Sequence, residues 1–309
     1  MLRLDVHQHL LGEPLLGELA RRRTPPALLR RRDGWTFRVA GEPDTLLPVA
    51  ATDAALRGEQ LRRDGVDRAL VALSSALGIE SLPPDEAAPL LIAHHRGTDA
   101  LPAHFGAWGA VQLTEPDPAD VDALATRGLV GLSLPASALA TPAALHRAGP
   151  LLERLERHDL PLFVHPGPVA ERASGTLPPW WPALTSYVAQ MQAAWLAFLH
   201  AGRRAHPRLR VLFAMLAGGS PLQLERLAAR GGPVAAVHDP LVFYDTSSYG
   251  PRALRATIDV VGAQQLVHGS DRPVVDAVVP PADTALGHAL LRVNPSRLLA
   301  PARARAAAA

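Results

Sequence analysis

The chain has 309 residues, 48% of them hydrophobic, and no cysteine. That is enough apolar material for a sizeable core, and it excludes disulfides, thiol catalysis and thiolate metal sites. The formal charge is only +2, and because every basic residue is Arg the pI of 9.6 overstates the field, so no nucleic-acid partner is expected.

In chain order, Leu4 to His9 reads as a strand running into its exit loop. The excursion over residues 10–64 reads as an insertion holding a small hairpin, Trp35 to Val39 and Leu46 to Val49 around a Gly41–Asp44 turn. Asp53 to Arg63 reads as a helix with Thr52 as its N-cap and Gly65 closing it. Then the pattern becomes regular. Strands are expected at Ala69–Leu73, Phe105–Leu113, Val130–Leu134, Pro161–His165, Arg210–Met215, Leu241–Asp245 and Gln265–His268. Helices are expected at Asp85–Arg96, Pro118–Arg127, Ala143–His158 (kinked or divided at Pro150), Thr185–Ala201, Pro221–Arg230, Arg252–Val261 and Ala282–Arg292. A Pro-rich loop with Trp180 and Trp181 spans Pro166 to Leu184, and the Ala/Arg-rich end reads as a disordered tail over 300–309.

With Leu4 to His7 counted first, the alternation gives eight apolar runs separated by helices, the rhythm of parallel βα units. It predicts a closed (β/α)₈ TIM barrel, one domain over residues 1–299. An open doubly wound sheet would want a glycine-rich phosphate turn after the first strand, and Leu10-Leu11-Gly12-Glu13 is not one. No apolar run reaches the ~18 residues of a membrane span. The start lacks a charged-then-apolar leader, so a cytoplasmic location is expected. The runs Arg21–Arg23 and Arg30–Arg32 read as solvated surface, and the missing Lys excludes a Schiff base or a lysine carbamate.

A parallel barrel delivers every strand's C-terminal end to one rim. There the first strand presents His7 and His9, two residues apart and so on one face; the fifth presents His165; and the eighth presents Asp271. Three imidazoles and a carboxylate make a ligand set for one divalent ion, Zn²⁺ first, with Mn²⁺ or Fe²⁺ as alternatives. Asp271 is also placed to take a proton from metal-bound water. Met215, Trp181, Tyr249 and Arg272 are candidates for lining a small-molecule substrate. His268 reads as a packing residue, Asp245 as either a support for the site or a helix cap, and the remaining histidines, His94 and His206 among them, as surface.

Asp5-Val6-His7-Gln8-His9, Phe163-Val164-His165-Pro166 and Gly269-Ser270-Asp271-Arg272-Pro273 resemble the amidohydrolase superfamily. The similar branch is the amidohydrolase-related group that includes aminocarboxymuconate-semialdehyde decarboxylase. Phe243 to Ser248 and Val293 to Leu299 are similar to it too. The resemblance implies a distorted barrel with one metal ion on His7, His9, His165 and Asp271, and homodimers are common among such barrels. One departure stands out. The family pattern has a histidine after the sixth strand, before a run of glycines, and here Met215, Leu216 or Ala217 replaces it. Loss of such acid/base help typically costs ~10²–10⁴-fold. The leading expectation is a mononuclear metal-dependent hydrolase of an amide, ester or lactone. The alternatives are a non-oxidative decarboxylase, which the missing histidine weakens more, and a non-catalytic metal- or ligand-binding relative.

Overall fold

The structure is a computed structural model and describes residues 1–169, 178–276 and 278–300. Its centre is a ring of short parallel strands whose side chains are almost all buried, as apolar runs covered on both faces require. β1 (Leu4–Gln8) pairs with β5 (Arg68–Val71), which pairs with β6 (Phe105–Ala107). The next five strands, β7 (Leu132–Pro135), β8 (Leu162–His165), β9 (Val211–Phe213), β10 (Val242–Asp245) and β11 (Leu266–Val267), pair in sequence order. Two isolated bridges, Gly109 with Leu132 and Gln8 with Arg272, close the ring. This is the (β/α)₈ TIM barrel.

Three strands lie between β1 and β5 rather than two. β2 (Ala27–Arg31), β3 (Gly34–Arg38) and β4 (Thr45–Pro48) form an antiparallel sheet, preceded by the helix Glu13–Arg21. β2 escapes a sequence reading because its second half is the Arg30–Arg32 run. There the Arg30 guanidinium lies 4.7 Å from the centre of the Trp35 ring, while Ala27 and Leu28 are buried.

The other differences are local. The helix Ala54–Arg63 is capped by Asp53, whose carboxylate accepts from the Ala55 and Leu56 amides; Thr52 belongs to the short preceding helix. The expected strand over Phe105–Leu113 ends at Ala107, because the chain then crosses to pair Gly109 with Leu132. The helix Pro142–His158 runs through Pro150 undivided, carrying buried Leu145, Leu151, Leu152 and Leu155 on one face. Burying each such Leu contributes roughly 1.5–3 kcal/mol, enough to offset one lost backbone hydrogen bond. The helix Ser186–Ala197 continues as the wider turn Phe198–Gly202. Among the described residues no helix is long and apolar enough to cross a membrane. Of the tail expected over 300–309, residues 301–309 lie outside the described residues.

The barrel core rises to the rim as a stack of rings. Trp108 donates its indole N–H to the Val6 carbonyl at 2.9 Å and packs on Phe163. Phe163 in turn meets the His7 ring edge-on, with centroids 4.9 Å apart. The imidazoles at the strand ends therefore stand on a rigid aromatic floor.

Candidate metal centre

His7, His9, His165 and Asp271 converge as expected, each buried or nearly so, with one ligand atom apiece inside a 4.8 Å span. The imidazole centroids form a near-equilateral triangle with sides of 5.0, 5.0 and 5.1 Å, and every pair of ring planes is close to perpendicular. His7 Nε2 lies 3.2 Å from His9 Nε2, and Asp271 Oδ1 lies 3.4 and 3.1 Å from those two nitrogens.

The outer ring nitrogens explain why the inner ones point inward. His7 Nδ1 faces Asp245 Oδ2 at 2.7 Å, His9 Nδ1 faces the Ala72 carbonyl at 2.9 Å, and His165 Nδ1 faces the Pro166 carbonyl at 2.9 Å. All three partners are acceptors, so each Nδ1 carries the proton and each Nε2 turns a lone pair to the centre. Lone pairs and a carboxylate oxygen about 3 Å apart, with no donor between them, repel unless a cation sits among them. A tetrahedral ion with bonds of about 2.0–2.1 Å spaces its ligand atoms about 3.3 Å apart, which matches. The donor set fits one divalent ion.

Electrostatics call for positive charge at the same point. Burial alone would pull His7 down, but the charges of Asp245 and Asp271 and the Asp245 hydrogen bond outweigh it and push its pKa up to about 9, so without an ion a second proton on Nε2 would stand where a cation otherwise sits. Burial, together with the facing His9 and His7, holds His165 well below its ordinary value. Burial would raise Asp245, but His7 and the Ser247 hydrogen bonds hold its carboxyl below the usual carboxylate range. Asp245 is therefore a support for the site. It caps nothing, since the helix Pro251–Val261 begins at Gly250. Its neighbour across the sheet must be glycine: a Cβ on Gly269 would fall 2.9 Å from Asp245 and from the His7 Cβ.

At the end of β9 the chain turns through Met215, Leu216, Ala217, Gly218 and Gly219, all with positive φ between 49° and 75°. Three of these are not glycine, and each costs roughly 1–2 kcal/mol in that conformation. The turn is clamped: the Met215 amide donates to Asp245 Oδ1 at 3.0 Å, and the Gln192 side chain donates to the Gly218 carbonyl at 3.2 Å. Of the three residues that could replace the family's histidine, only Met215 lines the cavity above the metal centre; Leu216 and Ala217 pack inward.

That cavity holds about 470 Å³. The insertion roofs it with Phe37, Val39, Leu47 and Pro48, and helix residue Tyr187 donates its hydroxyl to Glu42 across the gap. Tyr249 lines it as expected. Trp181 does not; it is 39% exposed and outside the described lining. Arg272 is also outside that lining, with its guanidinium 3.2 Å from Asp64 and 3.6 Å from Asp276. His268 is buried beside Asp5, with neither ring nitrogen hydrogen-bonded among the described residues. His94 and His206 are buried rather than surface residues, and His238 is exposed before β10. Glu42 and Tyr187 went unnoticed in the sequence because nothing local marks a residue that meets its partner 145 positions away.

The chain belongs to the amidohydrolase family, whose model matches residues 4–302. Among curated proteins no sequence matches. Several solved structures share the fold. IDCase of Metarhizium anisopliae is 16% identical with a TM-score of 0.73, covering 96% of this chain and 97% of its own. The 5-carboxyvanillate decarboxylase LigW of Sphingomonas paucimobilis is 18% identical with a TM-score of 0.69, covering 97% and 99%. The Novosphingobium aromaticivorans 5-carboxyvanillate decarboxylase, solved with bound manganese, is 15% identical with a TM-score of 0.73, covering 96% and 97%.

Proposed function

We propose that residues 1–299 form a metal-dependent non-oxidative decarboxylase acting on a carboxylate whose body is largely apolar. The observation that carries this reading is the composition of the cavity around the donor set. Among the described lining residues Asp271 is the one carboxylate in the donor group, the three imidazoles beside it would be taken up as ligands, and the end of β9 presents the Met215 thioether, which carries no proton. Hydrolysis would ask Asp271 alone both to take a proton from water and to return it to a leaving group. Decarboxylation asks for a single proton at carbon. The sequence alone favours the hydrolase and counts the missing histidine more heavily against the lyase. The cavity reverses that weighting, and the resemblance to decarboxylase structures supports the reversal.

His7, His9, His165 and Asp271 would hold one divalent ion, Zn²⁺ or Mn²⁺. When bound, it supplies a Lewis acid that gathers the substrate's carboxylate and offsets charge at the reacting end. Phe37, Val39 and Leu47 exclude water from the substrate body, while the Tyr187–Glu42 pair offers polar anchors for a ring substituent. Asp271 would first take a proton from solvent or from the substrate's own acid group and then deliver it to the carbon that loses CO₂; the electron pair of the broken C–C bond stays on that carbon to receive it, and Asp271 returns to its carboxylate form.

The test is a screen of metal-loaded protein against hydroxylated aromatic acids, among them 2,6-dihydroxybenzoate and 5-carboxyvanillate, alongside lactones and amides. Release of CO₂ from an aromatic acid is expected. Cleavage of a lactone or amide without CO₂ release from any acid would return the assignment to a hydrolase.

A further inference from the structure

Beneath the metal centre a chain of buried polar groups links the first strand, the last strand and the insertion. Asp5 is 1% exposed. Its Oδ1 accepts from the His7 amide at 3.1 Å and from the Ser270 amide at 3.0 Å, so a single oxygen ties the strand that carries two candidate ligands to the one that carries Asp271. Its Oδ2 accepts from the Gln8 side-chain amide at 2.7 Å. The Gln8 carbonyl oxygen accepts from the Arg57 guanidinium. Arg57, itself 6% exposed, also donates to the His9 carbonyl at 3.1 Å and to the Ala51 carbonyl at 3.3 Å, and Ala51 lines the cavity.

Every donor in this chain meets an acceptor in one direction only. Arg57 can only donate, so Gln8 must turn its oxygen to Arg57 and its NH₂ to Asp5, whose two carboxyl oxygens accept everything offered to them. The negative and positive ends are thus joined through a neutral amide rather than in direct contact. The groups they fix are backbone atoms: the amide of His7 and the carbonyl of His9. Those atoms set the directions from which the two imidazoles leave the strand.

We propose that Asp5, Gln8 and Arg57 act as a positioning relay that aims His7 and His9 at the metal and fastens the cavity roof to the same strand. The inference rests on the metal-centre reading above. It assigns the relay no contact with substrate. Its effect passes through ligand direction, as the outer partners of metal-bound histidines typically affect metal affinity by ~10–100-fold.

The polarity of the relay supplies its test. Asp5→Asn alone puts an NH₂ where Gln8 needs an acceptor; if Gln8 flips to accept from it, its own NH₂ meets the Arg57 donors. Gln8→Glu alone sets two carboxylates face to face. Together the two substitutions restore every bond. The introduced amide keeps an oxygen for the His7 and Ser270 N–H groups and donates its NH₂ to the introduced carboxylate, which also accepts from Arg57. Full-length apoprotein and the three variants are titrated with Co²⁺, followed by its d–d absorption, and each is checked for folding by circular dichroism.

The expected result is ~10–100-fold weaker Co²⁺ binding and an altered band in each single variant, with affinity and band returning close to wild type in the double variant. A relay that served only stability would shift the melting temperature of the single variants and leave the Co²⁺ band unchanged, which would overturn the proposal. So would a folded double variant that binds Co²⁺ no better than the single ones. If one single variant does not fold, the other decides with the double variant: weakened Co²⁺ binding in the folded single variant that recovers in the double upholds the relay, and unchanged binding in the single or weak binding in the double refutes it. Failure of wild-type protein to bind Co²⁺ at all would instead bring down the metal-centre reading, and the relay with it.

Discussion

Two stretches of the same rim are built by opposite means. Where the first and eighth strands end, His7, His9 and Asp271 are held in place by acceptors and amides that each find a partner. Where the sixth strand ends, the chain passes through five left-handed residues and presents the apolar Met215. Asp245 joins the two: one carboxylate oxygen holds the His7 ring and the other holds the Met215 amide. The turn therefore presents an apolar side chain on a backbone anchored by the same carboxylate that holds a candidate ligand. Because hydrogen bonds to the backbone do not depend on the side chain, that anchoring would serve a different residue equally well.

The sixth-strand turn can therefore be given a proton carrier. Met215→His places an imidazole on an anchored backbone facing the cavity. Decarboxylation in the steady state should rise by up to ~10²–10⁴-fold, the usual worth of a positioned acid or base. Unchanged kcat in a folded, metal-loaded variant would mean the turn aims its side chain elsewhere.

Asp245→Asn probes the link between the stretches. The substituted amide would offer an NH₂ to His7 Nδ1, driving the proton to Nε2 and removing a lone pair from the centre. Metal affinity by competition with a chelator should fall ~10–100-fold. The pH dependence has a definite sign. The Asp245 pKa is lowered on folding, so its stabilisation is present above the unfolded value of about 3.8 and is lost as the pH falls through the lower folded value. The stability gap between wild type and Asp245→Asn should therefore narrow on acidification below about pH 4. A gap that widened there would contradict the assignment of Asp245 as the ionised partner of His7.

The smallest effect tests the strain. At Ala217, φ is +53°, a conformation that glycine adopts freely. Ala217→Gly loses one buried methyl, worth about 0.8 kcal/mol, and relieves roughly 1–2 kcal/mol of strain, so stability from denaturant unfolding should hold or rise by up to about 1 kcal/mol. Ala148→Gly, in the interior of the helix Pro142–His158, has no such relief and should cost about 1–2 kcal/mol. Equal costs at both positions would show that the turn is not strained.

The barrel was legible in the sequence because strands buried on both faces must be short apolar runs, and the helices between them carry caps such as Asp117 and Thr141. The candidate metal group was legible because strand parity puts His7 and His9 on one side and a parallel barrel has only one rim for His165 and Asp271 to reach. What stayed hidden was set by tertiary partners. β2 carries charges that only the Trp35 ring makes sense of. Trp181 looks like a pocket residue from its place after the fifth strand, yet stands exposed outside the described lining. Asp5 is legible as part of the first-strand motif and Arg57 only as a helix residue, and their burial together around Gln8 is what reveals the groups they hold.

The claim on which the rest depends is that the triangle of imidazoles holds an ion. Elemental analysis of protein purified without chelator, beside a His7→Ala/His9→Ala variant, tests it most directly. About one equivalent of Zn²⁺ or Mn²⁺ in the native protein, lost in the variant, is the predicted result. No bound metal in the folded native protein, even after incubation with either ion, would contradict it.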